Sequence, residues 1–167
     1  MDEKQYSIEE RLARLEDIEA IRTLKARYAE FLDNRYDPEG IAGLFAEDGR
    51  WIIEDVTIQG SEAIKEQCRK LVKVQPWSCH NITPSIIEVD DKGTSASGSF
   101  YVLAFLTMRD KSGQDGAFFL TGVFKDKFIK KNGRWYIQEA HSCITQSAPW
   151  TEGWVKGDFV TGFFNLN

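Results

Sequence analysis

Asp33 and His80 are the two side chains in this sequence whose types and setting are suited to moving a proton. Asp33 lies in AEFLDNRYD, at the end of a helix-like stretch, and His80 precedes the strand-like stretch SIIEV. A carboxylate beside an imidazole accepts the hydrogen on Nδ1, leaves Nε2 free as a base and stabilises the imidazolium that forms. A base placed in this way accelerates proton removal by roughly 10²–10⁴-fold. The pair therefore indicates proton abstraction, provided that the fold brings the two segments together.

Each of these residues also has a purely structural interpretation. Asp33 is followed by Asn34 and can simply end the helix, while His80 can be a half-buried histidine held by a hydrogen bond. Tyr28 lies on the apolar stripe of the same helix, where a tyrosine is most often a core residue. Spacing alone favours these structural interpretations over a dyad.

Other catalytic chemistries have less support. Cys79 adjoins His80, but neighbouring residues in a strand point to opposite faces, which argues against a thiol activated by that histidine. The three cysteines are an odd number without metal-ligand spacing, so neither a disulfide framework nor a zinc site is expected. No glycine-rich phosphate loop is present. We therefore expect no cofactor and no metal.

Length and charge limit the possible partners. The 167 residues predict one domain, and a net charge of −5 with one short basic run, KDKFIKK, argues against nucleic acid and anionic membranes. The N-terminal stretch MDEKQYSIEERLARLED is acidic and helical, unlike a signal peptide. No apolar run reaches the ~20 residues of a membrane span. We expect a cytoplasmic protein with a small-molecule partner.

The first part of the chain is patterned as helix and the remainder as strand. A helical pattern runs from 8 to about 34 and ends at DNRYDPEG. IAGLFAEDG then predicts a short helix, WIIEDVTI a strand, and GSEAIKEQCRKLVK a helix begun by a serine cap. After Pro76 the β-rich segments are SIIEVDD, SASGSFYVLAFLTM, AFFLTGVFKDKFIKK and RWYIQEAHSCITQSAP.

These elements predict an α+β fold. Helices followed by long antiparallel strands give a cone-shaped curved sheet, with the N-terminal helices closing an apolar pocket. Gly98 and Gly122 are the expected bend points. The domain spans 1–167, and its apolar tail, residues 147–167, is expected to pack as a C-terminal arm on the domain or on a neighbouring subunit.

Aromatic side chains are the candidates for lining the pocket. They make up 13% of the chain, which suits a cavity walled by rings. Trp51, Phe105 and Phe119 are assigned to that wall, although large rings at such positions are more often plain core.

Four stretches taken together resemble a known family over residues 8 to 146. They are DIEAIRTLKARYAEFLDNRYD, FAEDGRWIIE, the pattern H-x-x-T-P-x-I that begins at His80, and the last strand GRWYIQEAH. Their order and spacing resemble the SnoaL-like branch of the nuclear-transport-factor-2-like superfamily. That branch includes bile acid dehydratases, scytalone dehydratases and hexachlorocyclohexane dehydrochlorinases. The resemblance implies the same α+β cone.

The resemblance also implies a chemistry. In those enzymes an Asp–His pair abstracts a proton so that water or chloride is eliminated. By position, Asp33 matches the aspartate at the helix end and His80 the histidine at the strand entry. Tyr28 matches the tyrosine that the dehydratases place near the leaving or carbonyl oxygen. The resemblance therefore favours the dyad over the structural interpretations.

This chain departs from the family on its last strand. Some of the related enzymes carry an arginine there, whereas this chain has AHSCIT without a basic residue other than His141. Alternation from Trp135 and Ile137 puts Glu139 and His141 on one face, and a bulge would reverse that. His141 is therefore a candidate substrate-binding residue whose orientation stays open. The substrate is expected to differ from those of the relatives.

The sequence thus predicts a cofactor-independent lyase of dehydratase type, acting on a hydrophobic cyclic or polycyclic small molecule. A double-bond isomerase of a steroid-like ketone needs the same proton removal and is the nearest alternative. A non-catalytic ligand-binding module, or one like the small subunit of a ring dioxygenase, is the other. A homo-oligomer, trimer or dimer, is expected.

Overall fold

The computed structural model describes residues 6–156, without the side chain of Pro84. The chain begins with helix α1 (Ile8–Asp33), which Ser7 and Glu10 start by a reciprocal capping box. Glu10 donates its backbone N–H to Ser7 Oγ at 3.1 Å, and Ser7 donates its own to Glu10 Oε2 at 2.7 Å. Two shorter helices follow, α2 (Pro38–Ala42) and α3 (Ser61–Val74).

Six strands form one open, curved sheet beside the helices. Their order across the sheet is β2-β1-β6-β5-β4-β3, so that β2 and β3 are the two edges. The pairing of β1 with β6 is parallel and the other described pairings are antiparallel. The strands are β1 (Phe45–Ile53), β2 (Val56–Gln59), β3 (Trp77–Val89), β4 (Ser95–Arg109), β5 (Asp115–Lys131) and β6 (Arg134–Pro149). The predicted α+β cone is confirmed, with one parallel pair in it.

Bulges divide the long strands. Register shifts occur within β3 between Ile82 and Ser85, and along β5 and β6 at Thr121/Gly122 and at Lys127/Phe128. Gly122 is a bend point, since a Cβ there would come within 2.6 Å of the Cys143 carbonyl oxygen. Gly98 lies at no such shift. It leaves room for the ring of Phe100, which a Cβ would approach to 2.6 Å.

Three local predictions are wrong. The segment 45–49 is strand rather than helix, because it pairs with β6 through Phe45 and Ile137. The predicted strand at 51–58 is a hairpin that turns at Glu54, which has a φ of 51°. Helix α3 has Gly60 at its cap and no side-chain cap bond, so Ser61 is not the cap.

Strand β3 begins earlier than the sequence pattern indicates. It starts at Trp77, so His80 lies inside the strand and pairs with Ala104 of β4. The residues directly after Pro76, WSCHNIT, mix polar and apolar types, so the sequence pattern did not indicate that the strand begins at Trp77. The pairing with β4 decides the strand's start.

Helix α1 packs across the inner face of the sheet and is fixed there by two buried polar contacts. Near its middle, Asp17 accepts hydrogen bonds from Lys130 Nζ at 2.6 Å and from Trp135 Nε1 at 2.8 Å. Farther along, Lys25 Nζ lies 2.8 Å from Asp126 Oδ2 of β5. Both partners are almost fully enclosed, at 1% and 2% exposure.

The Lys25–Asp126 pair is surrounded by rings and backbone. The ammonium lies 4.2 Å from the centroid of the Tyr28 ring and 4.1 Å from that of Phe124. Asp126 Oδ1 accepts the backbone N–H of His141 at 3.2 Å. Burial lowers the pKa of Lys25 and raises the pKa of Asp126, and each charge offsets part of the shift in the other. The pair thereby ties α1 to β5 and β6 at one point.

The end of the described chain packs on the outer face of the sheet. After β6 a short helix, α4 (Gly153–Lys156), follows, and Trp154 contacts Phe119 edge-on at 6.3 Å between ring centroids. The predicted arm at 147–167 extends beyond this, and its residues 157–167 lie outside the described residues. The expected homo-oligomer stays a prediction.

No helix within residues 6–156 is long and apolar enough to cross a membrane.

The enclosed ion pair predicts an asymmetric response to mutation. We expect Lys25→Met to lower the free energy of unfolding by about 3–5 kcal/mol, because it leaves Asp126 charged and unpaired in the interior. Adding Asp126→Asn to that variant should restore most of the loss, since asparagine is neutral and still accepts the His141 N–H. Urea unfolding measures both changes.

Lys131→Met is the matched control, because Lys131 is an exposed partner of Asp48 at 3.8 Å. We expect no resolvable change in it. Equal stability of Lys25→Met and the wild type would show that the pair does not hold the helix in place.

Candidate active site

Asp33 and His80 are in contact in the folded chain. Asp33 Oδ1 lies 2.7 Å from His80 Nδ1. The same carboxylate also accepts the backbone N–H of His80, at 2.9 Å to Oδ2 and 3.1 Å to Oδ1. It therefore holds both the ring and the main chain of one residue, which fixes the side chain of His80 relative to the end of α1.

Ser78 completes the surroundings of this carboxylate. Its hydroxyl lies 3.1 Å from Asp33 Oδ1 and 3.3 Å from the carbonyl oxygen of Leu32. Ser78 and His80 share one face of β3, two residues apart, so both can reach the last turn of α1. No feature of the sequence pointed to Ser78.

The hydrogen bonds to Asp33 keep it ionised. Burial by itself would raise the pKa of Asp33, but the His80 ring, the His80 backbone N–H, the charge of His80 and the Ser78 hydroxyl lower it, and the net direction is downward. An ionised Asp33 can only accept, so Nδ1 of His80 carries the hydrogen. Nε2 is then the ring nitrogen that remains available as a base.

His80 forms part of the wall of an internal cavity between α1, α3 and the sheet. The cavity volume is about 40 Å³. The cavity is thus narrow, and a large ligand requires lining side chains to move. The wall is mostly apolar, with Leu32, Ile53, Leu71, Val102, Leu106, Leu120 and Phe124 among its residues.

Tyr28 and Trp51 lie together on this wall. From the sequence, Tyr28 is proposed as a site residue and Trp51 as a residue that lines the pocket. Their rings meet edge-on at 6.3 Å, and they are 1% and 3% exposed. Burial, followed by the charge of Asp126, raises the pKa of Tyr28 well above its ordinary value, so its hydroxyl keeps its hydrogen. The indole N–H of Trp51 is buried and makes no hydrogen bond of normal geometry within the described chain. The Tyr28 hydroxyl, which is itself within the influence of the Trp51 N–H, can donate to a bound ligand.

Tyr36 is a further cavity residue that the sequence analysis did not identify. It follows α1 by three residues and has a φ of 54°, as Arg35 before it has a φ of 55°. This left-handed turn carries the ring back to the cavity wall. The only signal in the sequence was Asn34, a residue that favours such turns, and it was interpreted as a helix end.

His141 does not face the cavity. Lys127 pairs with Glu139 whereas Phe128 pairs with Ile137, so Gln138 is an extra residue in β6. Beyond this bulge the alternation is reversed. Ala140, fully buried, pairs with Trp51 on the inner face, and His141 lies in a shallow groove on the outer face. His141, assigned to substrate binding from the sequence, therefore does not line this cavity.

Phe105 and Phe119 are also on the outer face. They pair with each other across β4 and β5, and Phe105 packs edge-on against Trp150 at 5.9 Å. Their neighbours Ala104 and Leu106 are the inward-facing residues of β4. The two phenylalanines support the segment after β6 and do not line the cavity. Their prediction failed because alternation depends on the strand's register, which composition does not supply.

Candidate metal-ligating side chains do not form a cluster within residues 6–156. Nowhere in the described part of the chain do three His, Cys, Asp or Glu side chains converge as metal ligands would.

Comparison with families of known proteins gives one match. The model of the SnoaL-like domain matches residues 13–141. Among curated protein sequences none matches the chain.

Solved structures share the fold over most of their length. A hexachlorocyclohexane dehydrochlorinase, LinA type 2, has a TM-score of 0.74 at 19% identity, with 83% of this chain and 91% of that chain covered. A putative scytalone dehydratase from Novosphingobium aromaticivorans has a TM-score of 0.72 at 21% identity, covering 90% and 96%. At these identities the likeness shows the fold alone.

A third solved structure is more similar in sequence. It is a protein of unknown function from Mycobacterium tuberculosis, with a TM-score of 0.64 at 27% identity, covering 80% of this chain and 74% of that chain.

The lowered pKa of Asp33 predicts how stability responds to acid. An unfolded aspartate has a pKa of about 3.9, so the stabilisation that ionised Asp33 contributes is present above that pH and is lost as pH falls through the folded-state value. We expect the free energies of unfolding of the wild type and Asp33→Asn to differ at about pH 7, and the difference to shrink as the pH falls below about 3.9. Asp48→Asn, at an exposed aspartate, is the control. A difference that does not change with pH would contradict the assignment.

The hydrogen-bond geometry predicts the tautomer of His80. We expect ¹⁵N NMR to show hydrogen on Nδ1 in the wild type and a mixture of both tautomers in Asp33→Asn. His141→Gln identifies the His80 signals, because the chain has two histidines. An unchanged tautomer in Asp33→Asn would show that the carboxylate does not control the ring.

Proposed function

The chain belongs to the SnoaL-like domain family, and from this we propose that it is a cofactor-independent lyase that eliminates water from a hydrophobic cyclic alcohol. The observation that carries the proposal is the 2.7 Å contact between Asp33 and His80 at the wall of an apolar cavity. Its fold is shared with proteins described as a dehydrochlorinase and a putative scytalone dehydratase, both lyase-type.

The proposed reaction begins with proton removal. Nε2 of His80 takes a proton from a carbon that is made acidic by a neighbouring carbonyl group. The electrons of that C–H bond move toward the carbonyl and Asp33 stabilises the imidazolium that forms. Tyr28 donates a hydrogen bond to the carbonyl oxygen as negative charge develops on it.

The second half of the reaction releases water. The electrons return to form a carbon–carbon double bond as the carbon–oxygen bond of the substrate hydroxyl breaks. The imidazolium of His80 returns its proton to the departing hydroxide, so that one water leaves and the histidine is neutral again. No oxidant, reductant or cofactor enters this balance.

The cavity limits the substrate. Because the cavity volume is only about 40 Å³, the proposal favours a compact, flat ring system. A polycyclic substrate would require Leu71, Leu120 or other lining side chains to move. The apolar wall favours a substrate with few polar groups besides the reacting oxygens.

Two alternatives share parts of the site. An isomerase would use the same base and return the proton to a different carbon, so the product would have the mass of the substrate. A non-catalytic ligand carrier would use the cavity without needing the ionised Asp33 beside His80. Asp33 accepts hydrogen bonds from both the ring and the backbone of His80, and this feature favours a catalytic role over that of a ligand carrier.

The test is turnover of a panel of cyclic β-hydroxy ketones, followed by mass spectrometry. We expect loss of one water from at least one member, and a decrease of kcat by roughly 10²–10⁴-fold in His80→Gln. Asn81→Gln, on the neighbouring exposed position of β3, is the control and should retain activity. A product of unchanged mass would favour the isomerase, and binding without turnover would favour the carrier.

A further inference from the structure

The turn after α1 adopts a conformation that is unfavourable for its residues. Arg35 and Tyr36 have φ values of 55° and 54°, in the left-handed region that residues with a Cβ rarely occupy. The turn is closed by hydrogen bonds from the Tyr36 N–H to Leu32 and from the Asp37 N–H to Phe31, each 3.0 Å to the carbonyl oxygen. A glycine would relieve the strain at either position. The chain keeps a tyrosine there instead, and the strain must be offset by what its side chain does.

The turn delivers the Tyr36 ring to the cavity that His80 also lines. The residue is 3% exposed, yet its hydroxyl makes no hydrogen bond to any residue between 6 and 156. The hydroxyl is not completely enclosed, and the residue lines the cavity. Phenylalanine would fill the same space without a hydrogen-bond donor. The hydroxyl can therefore donate to a ligand in the cavity.

We propose that Tyr36 is a second substrate-binding donor, which together with Tyr28 binds the substrate oxygen that becomes negatively charged. This inference rests on the proposed lyase function and deepens it by assigning the oxygen site. The two phenol rings line the same cavity as His80, and most of the remaining wall is apolar.

The surroundings suit donation to an anion rather than proton transfer. Burial, with smaller contributions from Cys68 and Asp33, raises the pKa of Tyr36 far above its ordinary value. Tyr36 and Tyr28 therefore keep their hydrogens while His80 takes the proton from carbon. Donors that are fixed before the reaction, in a site without bulk water, stabilise developing charge more than water does.

The experiment compares two ligands of similar shape that differ in oxygen. Pentafluorophenol is an anion at neutral pH and imitates the enolate oxygen, whereas pentafluorotoluene carries a methyl group in its place. We expect ¹⁹F NMR titration to show that Tyr36→Phe weakens binding of pentafluorophenolate about tenfold or more and leaves pentafluorotoluene unchanged. Tyr101→Phe, on the exposed outer face, is the matched control and should change neither.

A second replacement at position 36 is expected to change the affinity for pentafluorophenolate in the opposite direction. Incorporating 3-fluorotyrosine at position 36 keeps the ring and makes its hydroxyl a stronger donor, so pentafluorophenolate should bind more tightly. This measurement stands if Tyr36→Phe fails to fold. Equal weakening of both ligands by Tyr36→Phe, no weakening of either, or no saturable binding of the phenolate by the wild type would each overturn the inference.

The result is distinguishable from a failure of the lyase proposal. His80→Gln should lower kcat for elimination by roughly 10²–10⁴-fold and leave unchanged the difference in ligand affinity that Tyr36 makes. Loss of phenolate affinity in Tyr36→Phe without any turnover by the wild type would support the oxygen site and refute the lyase. Turnover with unchanged phenolate affinity and unchanged kcat in Tyr36→Phe would support the lyase and refute the oxygen site.

Discussion

Lys25 and Asp126 form an ion pair between α1 and β5 that is closed off from water, and it sets where α1, which carries Tyr28 and Asp33, lies on the sheet. Taking both charges out of water is unfavourable, and the 2.8 Å contact with its ring neighbours compensates for this only in one arrangement of helix and sheet. Tyr28 lies one turn farther along the same helix, and Asp33 ends it. A shift of α1 along the sheet would separate this pair and the dyad together. The pair therefore contributes specificity of placement more than net stability.

The site joins three elements at one point. Asp33 ends α1, His80 belongs to an edge strand, and Tyr36 comes from the strained turn between helices. Asp33 binds the backbone of β3 as well as the imidazole ring, so the interaction that orients the base also attaches the strand to the helix. The geometry of the proposed site and the local folding thus depend on the same carboxylate. This explains how an edge strand, which has a neighbour on one side only, can hold a base in place.

The two faces of the sheet have separate roles. The inner face carries the narrow, mostly apolar cavity, with Tyr28, Tyr36 and His80 among its polar residues. The outer face carries Phe105, Phe119 and the segment after β6, and His141 lies there in a shallow groove. Three residues assigned to substrate binding from the sequence thus belong to the opposite surface. The bulge at Gln138 accounts for His141, because one inserted residue reverses which side chains face inward.

Local patterns in the sequence were sufficient for the helix Ile8–Asp33, the long β segments and the α+β class, because apolar periodicity and turn residues act within a few positions. The resemblance of dispersed motifs to the SnoaL-like family was enough to predict that Asp33 and His80 form a pair and that Tyr28 belongs to the same site. Only the tertiary structure decided which face Phe105, Phe119 and His141 occupy, that β3 begins before His80, and that Tyr36 enters the cavity. Each of these depends on strand register, on a bulge or on a left-handed turn, and these are set by packing between segments distant in the chain.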